Sequence, residues 1–177
     1  MALTFLRHTT PRVAPGTCYG QTDLDLADSF VEEAEAAADN MPPTTQIVTS
    51  PLTRCRRLAH YLADAFELPL AVEPRIIEMD FGNWENRPWA DIPRDQLDAW
   101  AEDFLHARPH GGESVAMLRA RTRAALSDWR ATAEATLIVT HAGVIKAALA
   151  KGDRAEHFKT HIEFGGFIAM PTNDGAR

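Results

Sequence analysis

Three places in the chain set a cation or an imidazole just past a short apolar run. Arg7 and His8 follow Leu3-Thr4-Phe5-Leu6. Arg54 follows Gln46–Thr49 by way of Ser50-Pro51-Leu52-Thr53. His141 follows Thr136–Thr140 and precedes Ala142-Gly143. Two guanidinium groups and two imidazoles gathered at one point describe a phosphate pocket. Guanidinium forks match pairs of phosphoryl oxygens, and nearby positive charge keeps an imidazole neutral and therefore nucleophilic. Phosphoryl transfer asks for little beyond positioning and charge stabilisation. What remains is a proton for the departing alkoxide. The segment Glu78-Met79-Asp80-Phe81-Gly82-Asn83-Trp84-Glu85 offers three carboxylates, and Met79, Phe81 and Trp84 would shelter Glu78 so that it holds a proton near neutral pH.

Such a convergence requires elements that end at one place. Leu3–Leu6, Gln46–Thr49, Thr136–Thr140 and Gly166–Met170 read as strands, and Pro74 excludes a central strand around 72–79. Between them lie helical patterns. Ser29 and Glu32 form a capping-box signature opening 29–39. Ser50 reads as an N-cap, with Pro51 at the first position of a helix carrying Leu58, Leu62 and Phe66. Leu97, Trp100, Ala101, Phe104 and Leu105 form a stripe, as do Val115, Leu118, Thr122, Leu126 and Trp129. A last helix runs from Gly143 to Lys151 and stops at Gly152. Strands alternating with helices predict one α/β domain over 1–177, a mostly parallel sheet covered on both faces. In such a sheet, residues just past the carboxyl ends of strands share one crevice. Arg7, His8, Arg54 and His141 can then meet. The helix after His141 would turn backbone N–H groups toward the same crevice.

Bulk properties narrow the partners. The 177 residues are 45% hydrophobic with a net charge of −7, which argues against a broad basic face for nucleic acid. An anion must therefore meet positive charge locally, and 15 of the 18 basic residues are Arg. Cys18 and Cys55 are too few for a disulfide framework, and no apolar run is long enough to span a membrane. The expectation is a cytoplasmic protein acting on a small phosphorylated metabolite, with no nucleic-acid or membrane partner.

The ordered motifs LRHTT (6–10), SPLTRC (50–55), EMDFGNWEN (78–86), GGES (111–114) and VTHAG (139–143) resemble the histidine phosphatase superfamily, which includes the cofactor-dependent phosphoglycerate mutases. The resemblance implies a three-layer α/β/α sandwich and metal-free chemistry with no cofactor. It implies His8 as the phosphorylated nucleophile, Arg7, Arg54 and His141 as phosphate ligands, and Glu78 as the general acid. GTCYGQTDLDL (16–26) and the short chain look most like the α-ribazole phosphatases of cobalamin assembly. That likeness places Tyr19 and Gly20 among substrate contacts, and the family suggests the same for Glu113 and Ser114. Thr9 and Asn86 stand where the family usually has Gly, and no Asn occurs at 13–15.

Each of these residues also has a plainer reading. Arg7-His8 alone is a polar strand end, Arg54 in TRCRR a solvated helix face, His141 a core histidine, and Glu78 a partner for Arg75. Glu113 and Ser114 read equally as an exposed turn and a helix N-cap. Their common order and strand-end placement favour the joint reading. His157 and His161 are four apart but lack an HExxH frame, and Pro109 interrupts His106 and His110, so no metal site is assigned. Neither cysteine has an Arg six residues on, so both read as packing residues. A broad sugar phosphatase, a phosphoglycerate mutase, and a phosphate-binding module without turnover are the alternatives. The little room between Trp84 and Gly111 argues against the mutase.

Overall fold

The computed structural model describes residues 3–171. Its sheet has five strands: β1 (Leu3–Arg7), β2 (Gln46–Thr49), β3 (Leu70–Val72), β4 (Thr136–Thr140) and β5 (Phe167–Ala169), in the order β3-β2-β4-β1-β5. All pairings are parallel except β1 with β5. The helices are α1 (Phe30–Asp39), α2 (Thr53–Phe66), α3 (Arg94–Glu102), α4 (Val115–Ala131) and α5 (Ala142–Leu149).

The strand alternation sorts the core into two halves. Phe5, Val48 and Ile138 pack on the side of α4 and α5. Leu6, Ile47, Leu137 and Val139 pack on the side of α1 and α2. With both faces covered, the inner strand β4 is buried along its whole length, which is why it reads as an unbroken apolar run. The result is the expected three-layer α/β/α arrangement. Register aligns Arg7 with Thr140 and Thr49 with Val139, so β1, β2 and β4 end side by side and their exits open on one crevice.

Several local expectations fall differently. Ser29 makes no cap with Glu32. Its hydroxyl bonds Glu33 Oε1 at 2.6 Å instead, and Glu33 Oε2 accepts the Thr10 N–H at 2.8 Å, tying α1 to the turn after His8. Helix α2 begins at Thr53 rather than Pro51, because Asp23 reaches across and accepts both the Thr53 N–H (2.7 Å) and hydroxyl (2.8 Å). That frees Ser50 for another partner. Helix α3 ends at Glu102, before Phe104 and Leu105. Helix α5 ends at Leu149, with Ala150 already extended. Gly152 lies beyond, where the His157 ring leaves no room for a Cβ. As Pro74 requires, 72–79 holds no central strand: it contains the end of edge strand β3, a single helical turn at Pro74–Ile76, and then irregular chain. The strand expected over Gly166–Met170 is β5, one residue shorter at each end, and the chain beyond it is described to Pro171.

Candidate active site

His8, Arg54 and His141 are buried at the strand ends, with Arg7 half-buried beside them. The His8 and His141 rings are 5.2 Å apart, centroid to centroid. His8 Nδ1 lies 2.7 Å from the carbonyl oxygen of Thr9. A carbonyl can only accept, so Nδ1 carries the proton and Nε2 presents its lone pair. Burial, and then the Arg54 and Arg7 charges, hold the His8 pKa well below the usual histidine range, although the Thr9 bond opposes them. The direction matches the reading of the sequence, but desolvation leads and the arginines follow. The same holds for His141, depressed first by burial and then by His8 and Arg54.

The arginines are fixed from outside the pocket. Arg54 donates to the carbonyls of Gly20 (2.6 Å) and Thr22 (2.8 Å). Arg7 donates to the carbonyl of Ile162 at 2.8 Å, and its Cζ stacks 3.7 Å from the Phe164 ring centroid. Each keeps a buried Nε–H with no acceptor among the described residues, and the buried Thr9 hydroxyl is likewise unpartnered. Buried donors of this kind are costly unless something supplies an acceptor. His141 Nε2 meets the Ser50 hydroxyl at 2.7 Å, with Cys55 Sγ at 3.5 Å. Ser50, expected as a helix cap, is therefore part of the site.

Glu78 is buried. Oε1 accepts the N–H of Met79 (2.9 Å) and Oε2 that of Gly143 (3.0 Å). A Cβ on Gly143 would collide with this carboxyl group, so the first turn of α5 and Glu78 are mutually fitted. The N–H expected to serve an anion here serves Glu78. Behind it, Arg121 donates to the carbonyls of Arg75 (2.8 Å), Ile77 (2.6 Å) and Glu78 (3.0 Å), and holds Glu113 at 2.7 and 2.8 Å.

Those bonds revise the expected substrate contacts. The Glu113 carboxylate belongs to the Arg121 clamp, and Ser114 caps α4 by accepting the Met117 N–H at 3.2 Å. Gly20 donates to Glu85 at 2.9 Å and accepts from Arg54, and the Met79 carbonyl leaves no space for a side chain on it. These three have their polar groups engaged within the frame. Tyr19 stands closer to the chemistry, with the Arg54 Cζ 5.4 Å from its ring centroid. Burial raises its hydroxyl pKa against the pull of Arg7 and Arg54.

Glu85 ties the frame together. It accepts from the Gly20, Gln21, Thr22 and Phe81 N–H groups and from the Thr22 hydroxyl. Burial pushes its pKa up, but the Thr22 hydroxyl and these N–H groups outweigh that and hold it below the usual range. Asn86, next along, adopts left-handed backbone (φ 62°), which explains a glycine preference there and why asparagine serves. Thr9 does not have positive φ.

Beside Glu78 opens a cavity of about 360 Å³ walled by Phe81, Trp89, Trp100, Phe104 and Phe158, with Glu78 and Lys146 as its charged lining residues. Met79 and Phe81 line this cavity together with Glu78. Trp84 is instead buried in a separate cluster with Cys18 and Ile92. The remaining histidines do not join the site. His161 pairs with exposed Glu163, His157 accepts the Arg154 N–H, and His110 is buried against Trp84. Among the described residues no group of three or more His, Cys, Asp or Glu is placed to hold a metal ion. Cys18 and Cys55 are buried and free, and burial pushes the Cys18 thiol up to about 12. No helix among the described residues is long and apolar enough to cross a membrane.

The roles of Asp23, Ser50, Glu85 and Arg121 in holding the site escaped the sequence reading. The signal for Glu85 was present, as the last carboxylate of EMDFGNWE, and Arg121 had none that distinguishes it from other helix-face arginines.

Residues 3–163 match the Histidine phosphatase superfamily (branch 1). The Escherichia coli adenosylcobalamin/alpha-ribazole phosphatase is 30% identical, with 98% of this chain and 91% of that protein covered. The glucosyl-3-phosphoglycerate phosphatase of Mycolicibacterium vanbaalenii is 31% identical over 84% and 72%. Among solved structures, the alpha-ribazole phosphatase from Shigella flexneri superposes with a TM-score of 0.82 at 26% identity, covering 98% of this chain and 92% of that one. The chain belongs to the histidine phosphatase superfamily.

Proposed function

We propose that this histidine phosphatase hydrolyses phosphomonoesters through a phosphohistidine on His8, without a metal ion. The observation that carries the reading is the state of His8: a neutral ring with Nδ1–H tied to the Thr9 carbonyl, its Nε2 lone pair free, and two arginines at hand. Nε2 attacks phosphorus, an N–P bond forms, and the P–O bond to the alcohol breaks. Arg7, Arg54 and His141 take the charge of the three phosphoryl oxygens, and the orphaned Nε–H groups of the arginines supply donors for it. Glu78 passes a proton to the leaving oxygen. It then removes one from the water that attacks phosphorus, releasing phosphate and restoring His8. General acid catalysis typically contributes about 10²–10⁴-fold, and phosphate monoester hydrolysis can be accelerated by up to ∼10²¹. Positioning and the cationic field therefore supply more of the acceleration than the proton does.

The substrate we propose is α-ribazole 5′-phosphate. The aromatic walls beside Glu78 suit a flat heterocyclic alcohol, and the relatives named alpha-ribazole phosphatase support it. Two buried, unbridged thiols accord with the cytoplasm as its place. The test is turnover after EDTA treatment, for wild type and His8→Ala, on α-ribazole 5′-phosphate beside a panel of sugar phosphates. Selective turnover that the substitution abolishes supports mechanism and substrate together. Broad but His8-dependent turnover keeps the mechanism and removes the cobalamin assignment. Turnover lost with EDTA, or surviving without His8, overturns the mechanism.

A further inference from the structure

Lys146 is the only cation lining the aromatic cavity among the described residues. It lies in the last turn of α5, where a positive charge complements the helix dipole. That accounts for a cation on the helix but not for one lining an apolar cavity. No carboxylate pairs with it among the described residues. Glu78, the cavity's only carboxylate, has each oxygen engaged with a backbone N–H. Lys146 is partly buried, and a bound alcohol that covers it displaces water from the ammonium, which then needs an acceptor in exchange. Lys146 stands three residues, about 4.5 Å along the helix axis, beyond Gly143, whose N–H holds Glu78. Glu78 and Lys146 line one cavity without forming an ion pair with each other.

We propose that Lys146 is a specificity-determining residue: its ammonium donates to an acceptor atom carried on the apolar body of the leaving alcohol, away from the oxygen that Glu78 protonates. The acceptor is a ring nitrogen or a carboxylate oxygen. Both are recognised by the same N–H donors, and a neutral benzimidazole riboside and a glycerate-type acid are the two sources. The inference rests on the phosphomonoesterase reading, since it takes the cavity to hold the leaving group.

The test compares wild type, Lys146→Met and Lys146→Arg on phenyl phosphate, 3-pyridyl phosphate and 3-carboxyphenyl phosphate. Methionine keeps the length and apolar stem, and every kcat/KM is taken relative to phenyl phosphate in the same protein, so any general loss cancels. The expected result is a fall of about 10-fold in the relative kcat/KM of an acceptor-bearing ester in Lys146→Met, largely restored in Lys146→Arg. A fall on both esters identifies a general acceptor, and one confined to the carboxyphenyl ester identifies an anion. Ratios unchanged on both overturn the proposal. Calorimetric binding of the matching phosphonates gives the same ratios without turnover. Lys146-dependent binding with no His8-dependent hydrolysis would keep this inference and sink the phosphatase reading, whereas hydrolysis with Lys146-independent ratios would do the reverse.

Discussion

The phosphate pocket and the cavity beside it are built from different materials. The pocket sits on strand exits and helix starts: His8 donates its backbone N–H to Thr140, Arg54 opens α2, and His141 opens α5. The cavity takes Glu78, Met79, Phe81 and Trp89 from irregular chain and single turns over 78–91, held by carboxylates and arginines rather than by a ladder, and its other walls from α3, α4, α5 and residues 155–158. The pocket is placed by the sheet, and under the proposed function it binds a group common to every phosphomonoester. The cavity is placed by helices together with the side-chain bonds that hold 78–91, and under the proposed function it takes whatever the phosphate is attached to. In this arrangement the reaction can remain the same while the substrate changes with the loop frame.

This contrast orders the expected effects. His8→Ala strikes the pocket and should lower kcat by about 10⁴-fold or more on any ester, read with paired alkyl and aryl phosphates. Glu78→Gln acts where pocket and cavity join. It should cost about 10²–10⁴-fold on an alkyl phosphate but far less on nitrophenyl phosphate, whose leaving group departs without a proton. Equal losses on both would remove Glu78 from the acid role. Arg121→Met loosens the backbone of 75–78 from behind and should lower kcat on alkyl phosphates by about 10²-fold with phosphate affinity unchanged. A matching loss of phosphate affinity would mean that the two regions are not separable in this way.

The smallest effect concerns stability against pH. His8 and His141 have folded pKa values below the unfolded value of about 6.5. Below that pH the unfolded chain takes up protons that the fold refuses, so the pocket loses stability as pH falls from about 6.5. Glu85 is depressed, and Glu73 lies at about 2 through its Arg75 bonds, against burial. Both contribute stability above the unfolded carboxylate range of about 4.3 and lose it as pH falls from there toward their folded values. Urea unfolding across pH should therefore show two slopes. His141→Asn should flatten the upper one and Glu85→Gln the lower. One slope insensitive to both substitutions would contradict the assignment.

The same contrast explains what could be read in advance. TLIVT followed by HAG is legible because strand burial writes an apolar run and the exit residue stands next to it. His8, Arg54, His141 and the layer order follow from that rule. Glu78 was legible because apolar neighbours flank a carboxylate. The frame was not. Asp23 caps α2 from 30 residues away in sequence, and Glu85 gathers the loop at 20–22. No local pattern encodes such contacts, so Ser50 was assigned to a cap that Asp23 replaces. Glu113 and Gly20, expected beside the substrate, serve Arg121 and Arg54. Lys146 drew no separate reading within the last helix, because only the folded chain sets it in one cavity with Phe158 and Trp100.

The most direct test of the central claim is to trap the phosphoenzyme. Wild-type protein mixed with a phosphomonoester, quenched in alkali within one turnover and digested, should yield a phosphorylated peptide containing His8, stable to alkali and lost in acid. His8→Ala should yield none. Turnover by the wild type with no phosphorylated His8 peptide at any quench time, or a phosphate found on another residue, would contradict the account.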